Sequence, residues 1–382
     1  MASRIGLFFL AGLMMLGARP DPAAAEITRA PQVRTATLLK VETVARGLSH
    51  PWGLQFLGPD RVIVTERRGN MRIVGLKVGF SKPIAGVPRV FAEGQGGLLD
   101  IALAPDFATS RLVYFSYAEP RDGRRNGTTL ARARLVEAED GGRLDDVQVI
   151  FRQEPAYASP NHFGSRIVFT DDGSLFLTLG ERYFARDEAQ NPGNHLGKLV
   201  RLAADGTPYA GNPKLPGWRE ENWSIGHRNM QGAALHPVTR KLWTIEHGAR
   251  GGDEINIPQA GRNYGWPVIT YGRDYSGAKI GIGTEKAGLE QPIYYWDPSI
   301  APSGAAFYTG DLIAEWKGNL FVGALAGQAL HRLVLDGETV VGEEVLLADQ
   351  GKRIRDVRQG PDGALYILTD EENGEVLRVS PK

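Results

Sequence analysis

Residues 356–370 read DVRQGPDGALYILTD. Apolar and polar residues alternate, a Pro-Asp-Gly turn follows, and a second apolar run closes on Thr-Asp. That is the pattern of two short antiparallel strands joined by a tight turn. The same phrase recurs near Gly53 (GLQFLGPDRVIVTERRG), Asp100 (DIALAPDFATSRLVYFSYAE), Arg166 (RIVFTDDGSLFLTLGER), Gly232 (GAALHPVTRKLWTIEHG) and Gly304 (GAAFYTGD, then GNLFVGALAG). Several of these copies also close on Thr-Glu or a near relative. Repetition at this spacing marks a radial or linear array. Short strands, tight turns and no long helical stretch select an all-β fold, a β-propeller. Two stacked β-sandwiches are the rival, which the repeat count disfavours. A propeller gathers loops from every blade around one axis, so functional residues far apart in sequence are expected to meet there.

The chain has 382 residues, 42% hydrophobic, with 44 Lys and Arg balancing 44 Asp and Glu. This is ample for one large closed β-domain. A net charge of zero argues against a general nucleic-acid or membrane-surface partner. Residues 1–25 carry Arg4, an apolar run from Ile5 to Leu16, and the small residues Ala23, Ala24 and Ala25. They read as a secretory signal peptide cut near Ala25, because the apolar run is too short to span a bilayer. With no cysteine, stability after export must come from the core, any bound metal and closure of the ring. Residues up to about Ala36 read as a loose leader, and residues 37–382 as a single propeller domain. Residues 182–194 and 271–298 are long for simple turns, and such loops build the binding face.

Three groups of residues carry chemistry. GHRNMQG (residues 226–232), EHGARGGDEIN (246–256) and NYGWP (263–267) form the densest polar cluster. In residues 248–252 glycines can turn carbonyls inward, and Asp253 and Glu254 follow. Ca²⁺ takes such mixtures of carbonyl and carboxylate oxygen, although a glycine-rich turn with solvated acids has the same composition. Arg228, Arg353 and Arg355 form a cationic set. Arg353 and Arg355 flank Ile354, so on a strand both point to one side. Three guanidiniums suit a ligand with several carboxylates or phosphates; surface salt bridges, for instance to Asp356, are the alternative. His162, in SPNHFGSR, is a candidate general base, with His195, His227 and His247 as rivals. No H-E-x-x-H, G-x-S-x-G, P-loop or dinucleotide fingerprint occurs.

These phrases resemble the soluble, periplasmic PQQ-dependent sugar dehydrogenases, and within them the aldose sugar dehydrogenase branch. GQGGLLDIALAPDF, GHRNMQGAALHP, HGARGGDEINIPQAGRNYGWP and RIRDVRQGPDGALYILTD carry the resemblance, which covers nearly the whole chain after the signal. It implies a six-bladed β-propeller, in agreement with the repeat count, and a periplasmic location. It also implies pyrroloquinoline quinone (PQQ), a flat ortho-quinone with three carboxylates, and Ca²⁺ as cofactors. The expected reaction converts an aldose sugar to its lactone, with an external quinone or cytochrome as electron acceptor. The expected protein is a monomer or homodimer without stable membrane insertion.

Carried over by position, the resemblance makes His162 the base for the anomeric hydroxyl. Arg228 and Asn229 flank the quinone oxygens, and Gln95 hydrogen-bonds the cofactor. Arg353 and Arg355, with Ile354 between them, meet its carboxylates. Ala324, Leu325 and Ala326 line it from the fifth repeat, and Tyr275 from the long loop. The carbonyls of Gly248 and Ala249 hold an active-site Ca²⁺, and Glu254 and Tyr264 a second, structural one. Ala326 departs from the family, which often has a lysine there. A Ca²⁺-dependent propeller lactonase or esterase, or a non-catalytic propeller that binds sugar or protein, are the competing functions.

Overall fold

A computed structural model describes residues 30–76 and 79–382; the signal-peptide segment lies outside them. The described residues form six four-stranded antiparallel sheets, the blades of a β-propeller. The inner strands, in chain order, are Pro51–Gly58, Leu98–Leu103, Gly164–Phe169, Met230–Leu235, Pro302–Phe307 and Ile354–Gln359. Each packs against its neighbours, and the last returns to the first. Blade six is completed by the N-terminal strand Leu39–Leu48, which pairs antiparallel with Gly374–Pro381 and closes the ring. Apolar residues of facing blades fill the wedges between them. Ile63, Phe115 and Leu135 pack together between blades one and two, and Trp243, Phe307 and Val322 between blades four and five.

The residues that open the six phrases, Gly53, Asp100, Arg166, Gly232, Gly304 and Asp356, all occupy the third position of an inner strand. Every inner strand breaks register at this point. The irregularity frees backbone groups that hydroxyls then satisfy. Thr65, Ser116 and Thr178 accept the amides of Gly53, Asp100 and Arg166 at 2.9, 3.0 and 2.9 Å. The same hydroxyls donate to the carbonyls of Leu99, Ser165 and Met230 on the following blade. In blades one to three the hydroxyl near the end of a phrase is thus a staple to the next blade.

On the axis, Arg166 Nη1 donates to Asp100 Oδ1 at 2.8 Å and lies 3.2 Å from Asp356 Oδ1. Arg358 Nη2 sits 3.2 Å from Asp356 Oδ2 and 3.5 Å from Asp100 Oδ1. The carboxylates also accept the amides of Ile167 and Leu54. Burial pushes the Asp100 carboxyl up, opposed by Arg166 and Arg358. Glycine makes room for this cluster: a Cβ on Gly304 would lie 2.1 Å from Asp356 Oδ1, and one on Gly53 2.9 Å from Asp100 Oδ1.

The leader differs from its expectation. Gln32 bridges to Glu343 on the outer strand of blade five. Glu344 accepts the amide and hydroxyl of Thr35 at 2.5 and 2.6 Å, and Glu315 accepts the amides of Ala36 and Thr37. The segment has no apolar alternation to announce itself. It is held by carboxylates that complete its backbone hydrogen bonds, with Trp316 Nε1 donating to Thr35 Oγ1.

Removing one partner of the axial cluster leaves buried carboxylates uncompensated. Arg166→Met is expected to lose about 3–5 kcal/mol of stability. Gly304→Ala should also destabilise, whereas Gly58→Ala, which meets nothing within 4 Å, should not. Denaturant unfolding of the three variants checks this; parental stability in Arg166→Met would refute the structural role of the cluster.

Candidate active site

The segments that enter the inner strands converge at one end of the axis. Gln95 Oε1 accepts the His162 amide at 2.9 Å, and Asn229 Oδ1 accepts the Gly164 amide at 3.1 Å. The segments before blades two, three and four are thereby locked together. His162 is 4% exposed and has φ +54, a left-handed conformation uncommon for a side-chain-bearing residue. Its Nδ1 lies 3.1 Å from Glu181 Oε1, and Tyr183 meets the ring edge-on at 5.2 Å. Arg182 fixes this turn from below: it donates to Asn126 Oδ1 and the Ser159 carbonyl and stacks on Phe163. Burial, then the charge of Arg228, pull the His162 pKa below the ordinary histidine value, with Glu181 opposing. The ring is therefore neutral at pH 7 and able to accept a proton.

Arg228 is fixed by its own backbone. Its amide donates to Glu246 Oε2 at 2.7 Å and its Nη1 to the His247 carbonyl at 3.1 Å. Its guanidinium carbon stands 5.2 Å from the centre of the Trp266 ring. It opens onto a cleft of about 300 Å³ lined by Glu181, Tyr183, Trp266, Asp274 and Tyr275. Tyr275, 59% exposed, forms the lip of this cleft. Around this end, Arg228 Nε, Asn229 Nδ2, His247 Nε2, Trp266 Nε1 and Arg355 Nε are buried with no hydrogen-bond partner in the protein. So many unmatched donors in one place call for a polar ligand.

The rival histidines separate cleanly. His195 accepts the Glu154 amide and sits 3.3 Å from Glu221. His227 lies between Ser224 and Glu246. Both are used inside the protein, whereas His247 shares the Arg228 environment and is driven well below its ordinary pKa by burial.

Arg353 and Arg355 do point to one side, toward Asp370 rather than Asp356. Arg355 donates to Asp370 Oδ2 and Gln231 Oε1, both at 2.6 Å; Arg353 Nη2 is 3.6 Å from Asp370. Burial acts to raise the Asp370 pKa, but Arg355 and Arg67 hold it well below the usual carboxylate range. Ile354 buries its side chain in the core of blade six, and its carbonyl accepts Ser303 Oγ. Ala324 ends the second strand of blade five. Leu325 donates its amide to Ala301 and accepts Arg353 Nη1 at 3.2 Å, while Ala326 donates to the Ile300 carbonyl and leaves its methyl exposed.

In residues 248–252 the carboxylate of Asp253 plays a part different from a metal ligand. It accepts the amides of Gly248, Ile300 and Ala301 at 2.7, 2.7 and 2.9 Å, plus Ser299 Oγ. Burial raises its pKa to about 6 against these hydrogen bonds. Gly248 must be glycine, because a Cβ would lie 2.2 Å from the Gly251 carbonyl oxygen. The Ala249 carbonyl accepts Ser299 Oγ at 3.2 Å. A small cavity is lined by Glu246, Gly248, Glu254 and Tyr264. Burial and the neighbouring Glu246 drive the Glu254 carboxyl well up, and Asn256 Nδ2 bridges the two acids. Tyr264 turns its phenol away: the hydroxyl donates to the Ile257 carbonyl and accepts the Gln259 amide. Only its backbone oxygen is left as a ligand. Among the described residues no three His, Asp or Glu side chains converge, so a cation here must draw on carbonyls.

Sequence reasoning missed Glu181, Glu246, Trp266 and Asp370. Three of them were signalled: they are the acids that close the repeat phrases, as in Thr369-Asp370.

A family profile described as Glucose / Sorbosone dehydrogenase matches residues 48–378. The aldose sugar dehydrogenase YliI of Escherichia coli (strain K12) is 48% identical over 350 residues, 90% of this chain and 93% of that protein. The crystal structure of the soluble aldose sugar dehydrogenase from Escherichia coli in its apo form superposes with a TM-score of 0.87 at 47% identity, covering 90% of this chain and all of that one. The PQQ-bound aldose sugar dehydrogenase from Streptomyces coelicolor superposes with a TM-score of 0.75 at 28% identity, over 91% of this chain and all of that one.

Asp253→Asn replaces an acceptor by an amide beside three backbone donors. It is expected to lower stability by roughly 1.5–3 kcal/mol, the range for hydrogen bonds to a charged group. Thermal unfolding near neutral pH checks this; an unchanged midpoint would contradict the role given to the carboxylate.

Proposed function

The chain belongs to the glucose/sorbosone dehydrogenase family, and from that premise we propose that it oxidises aldose sugars at the anomeric carbon to lactones with PQQ and Ca²⁺, passing the electrons to an external acceptor. The observation that carries this reading is the convergence of a neutral, strained His162, backed by Glu181, with Arg228 and a ring of unpartnered donors. When bound, PQQ supplies the two-electron oxidant and Ca²⁺ polarises its carbonyl. The residues fit such a group. Gln95, Arg228, Asn229, Arg353 and Arg355 supply cationic and neutral donors, with Tyr275 at the lip. The carbonyls of Gly248 and Ala249 would hold the calcium, and Glu254 with the Tyr264 carbonyl would hold a second ion. A lactonase would have no use for three arginines.

In this mechanism Glu181 orients the His162 ring through Nδ1, so Nε2 takes the proton from the anomeric hydroxyl. Arg228 holds its guanidinium fixed over Trp266 and stabilises negative charge that develops on oxygen, without reorganising. With Ala326 in the fifth blade, the far end of the cleft relies on Arg353 and Arg355 for positive charge. Reconstitution with PQQ and Ca²⁺, followed by glucose and a dye acceptor, tests the proposal. Sugar oxidation without PQQ, or lactone hydrolysis in its place, would overturn it.

His162→Ala should lower turnover by ~10²–10⁴-fold while PQQ still binds. Because the His162 pKa lies below the ordinary value, turnover should hold as pH falls through 6.5 and drop only at lower pH, where the ring protonates. Glu181→Gln removes an influence that raises the His162 pKa, so the acid limb should move to still lower pH. A limb centred above 6.5 in the parent would remove His162 as the base.

Chelation is expected to lower both activity and melting temperature, and Ca²⁺ to restore both, since an ion bound only by the native state stabilises it by mass action. It would also relieve the repulsion between Glu246 and Glu254. If exhaustive EDTA treatment changes neither quantity, the calcium assignments fail.

A further inference from the structure

Lys198 opens the third strand of blade three, Lys198–Leu202, and its side chain is fully buried. Its ammonium is surrounded by oxygens of one loop: the carbonyls of Glu188 at 2.9 Å, Ala189 at 3.1 Å and Leu196, and Asn194 Oδ1 at 3.3 Å. Burial pulls its pKa down to about 7, opposed by Glu188. The oxygen cage favours the charged form further. Glu188 and Ala189 lie in the short 3₁₀ turn Arg186–Gln190, where the Asn191 amide caps the Glu188 carbonyl and the Gly226 amide meets that of Ala189. Lys198 adds a second donor to each. A buried ammonium ringed by carbonyls occupies the place a bound monovalent cation would take.

The loop so held is the wall of the active site. Ala189 packs with Ala249, Trp266 and Ile280, and its carbonyl also accepts the Gly226 amide at 3.0 Å, two residues before Arg228. Gln190 Nε2 donates to the Trp266 carbonyl at 2.7 Å. Gly197 has φ +65 and approaches so closely that a Cβ would lie 2.3 Å from the His227 carbonyl oxygen. The loop therefore touches the segment that carries Arg228 and the tryptophan beneath it. Without the ammonium, the Leu196 carbonyl would lose its donor, and the Glu188 and Ala189 carbonyls and Asn194 Oδ1, which also accept the amides of Asn191, Gly226 and Leu196, would each lose one of two, so the buried loop would gain by opening to water.

We infer that Lys198 is a positioning residue for sugar oxidation, a built-in cation that folds residues 186–196 against the Arg228–Trp266 pair. The inference rests on the reading of this cleft as the oxidising site, so its test includes a readout independent of activity. Hydrogen exchange is followed in the full-length parent and in Lys198→Met, which keeps length and apolarity and removes charge. Amides of residues 183–197 should exchange at least about tenfold faster in the variant, with the other blades unchanged. After reconstitution with PQQ and Ca²⁺, kcat/KM for glucose should fall by roughly tenfold to a hundredfold, the scale of a small misplacement of catalytic groups.

Lys198→Ala leaves space in the cage, and ammonium chloride should restore loop protection and rate there where sodium chloride at equal concentration does not. Unchanged loop exchange in Lys198→Met, or protection lost equally across all six blades, would overturn the inference. If the methionine variant does not fold, refolding of Lys198→Ala with and without ammonium decides: recovery only with ammonium supports the role, and no difference refutes it. A parent that binds PQQ but oxidises no aldose would sink the functional reading, and loop exchange would still judge Lys198.

Discussion

The axis of this propeller is closed by two aspartates and two arginines in a dry centre, and that constraint sets the geometry of everything around it. Asp100, Arg166 and Asp356 come from three different inner strands, and Arg358 adds a second cation. Opposite charges balance there, with Arg358 partly exposed, which makes burial of Asp100, Arg166 and Asp356 tolerable. Glycine holds the same strand position in the three remaining blades, because side chains on all six strands would not fit. The cluster thus fixes how far the inner strands stand from the axis and how they are rotated. The loops that enter those strands inherit that placement.

The register break in each inner strand links the ring to the site. It releases backbone groups at the third residue, and Thr65, Ser116 and Thr178 turn those groups into bonds between blades. The acids that follow the staple position then reach the functional end. Glu181 meets His162, Glu246 meets His227 and the Arg228 amide, and Asp370 meets Arg355. In blade three one phrase serves both ends: the Thr178 hydroxyl holds neighbouring blades together, and Glu181 orients a basic side chain at the mouth.

Two ties give the long loops their shape. Asp253 gathers the amides of Gly248, Ile300 and Ala301, and the carbonyls of Ile300 and Ala301 in turn receive Ala326 and Leu325. The calcium-binding candidate loop and the turn beside Arg353 are thereby parts of one hydrogen-bonded unit. Lys198 does the same for the neighbouring loop, whose Ala189 packs against Ala249. In both places a buried charge is spent on backbone groups, so that the side chains facing the cleft keep their unmatched donors for a ligand.

The sequence by itself determined the class of fold, because strand alternation, tight-turn residues and a repeating phrase are local properties of the chain. Residue type and spacing also raised Arg228, Arg353, Arg355 and the run through Glu254 as candidates, and His162 as one of four histidines, among which the family resemblance chose it. What the tertiary structure alone decided was pairing. It set Asp370 rather than Asp356 against Arg355, turned the Tyr264 phenol away from the small cavity, and gave Asp253 to backbone amides. It also bound residues 32–37 to blade five, and closed the ring with Leu39–Leu48 on Gly374–Pro381. The physical reason differs with range: Arg355 and Asp370 are 15 positions apart, and which nearby acid is met depends on how the strands are turned, whereas Thr35 and Glu344 are 309 positions apart. Their proximity follows from closure of six blades about one axis, which no local pattern encodes.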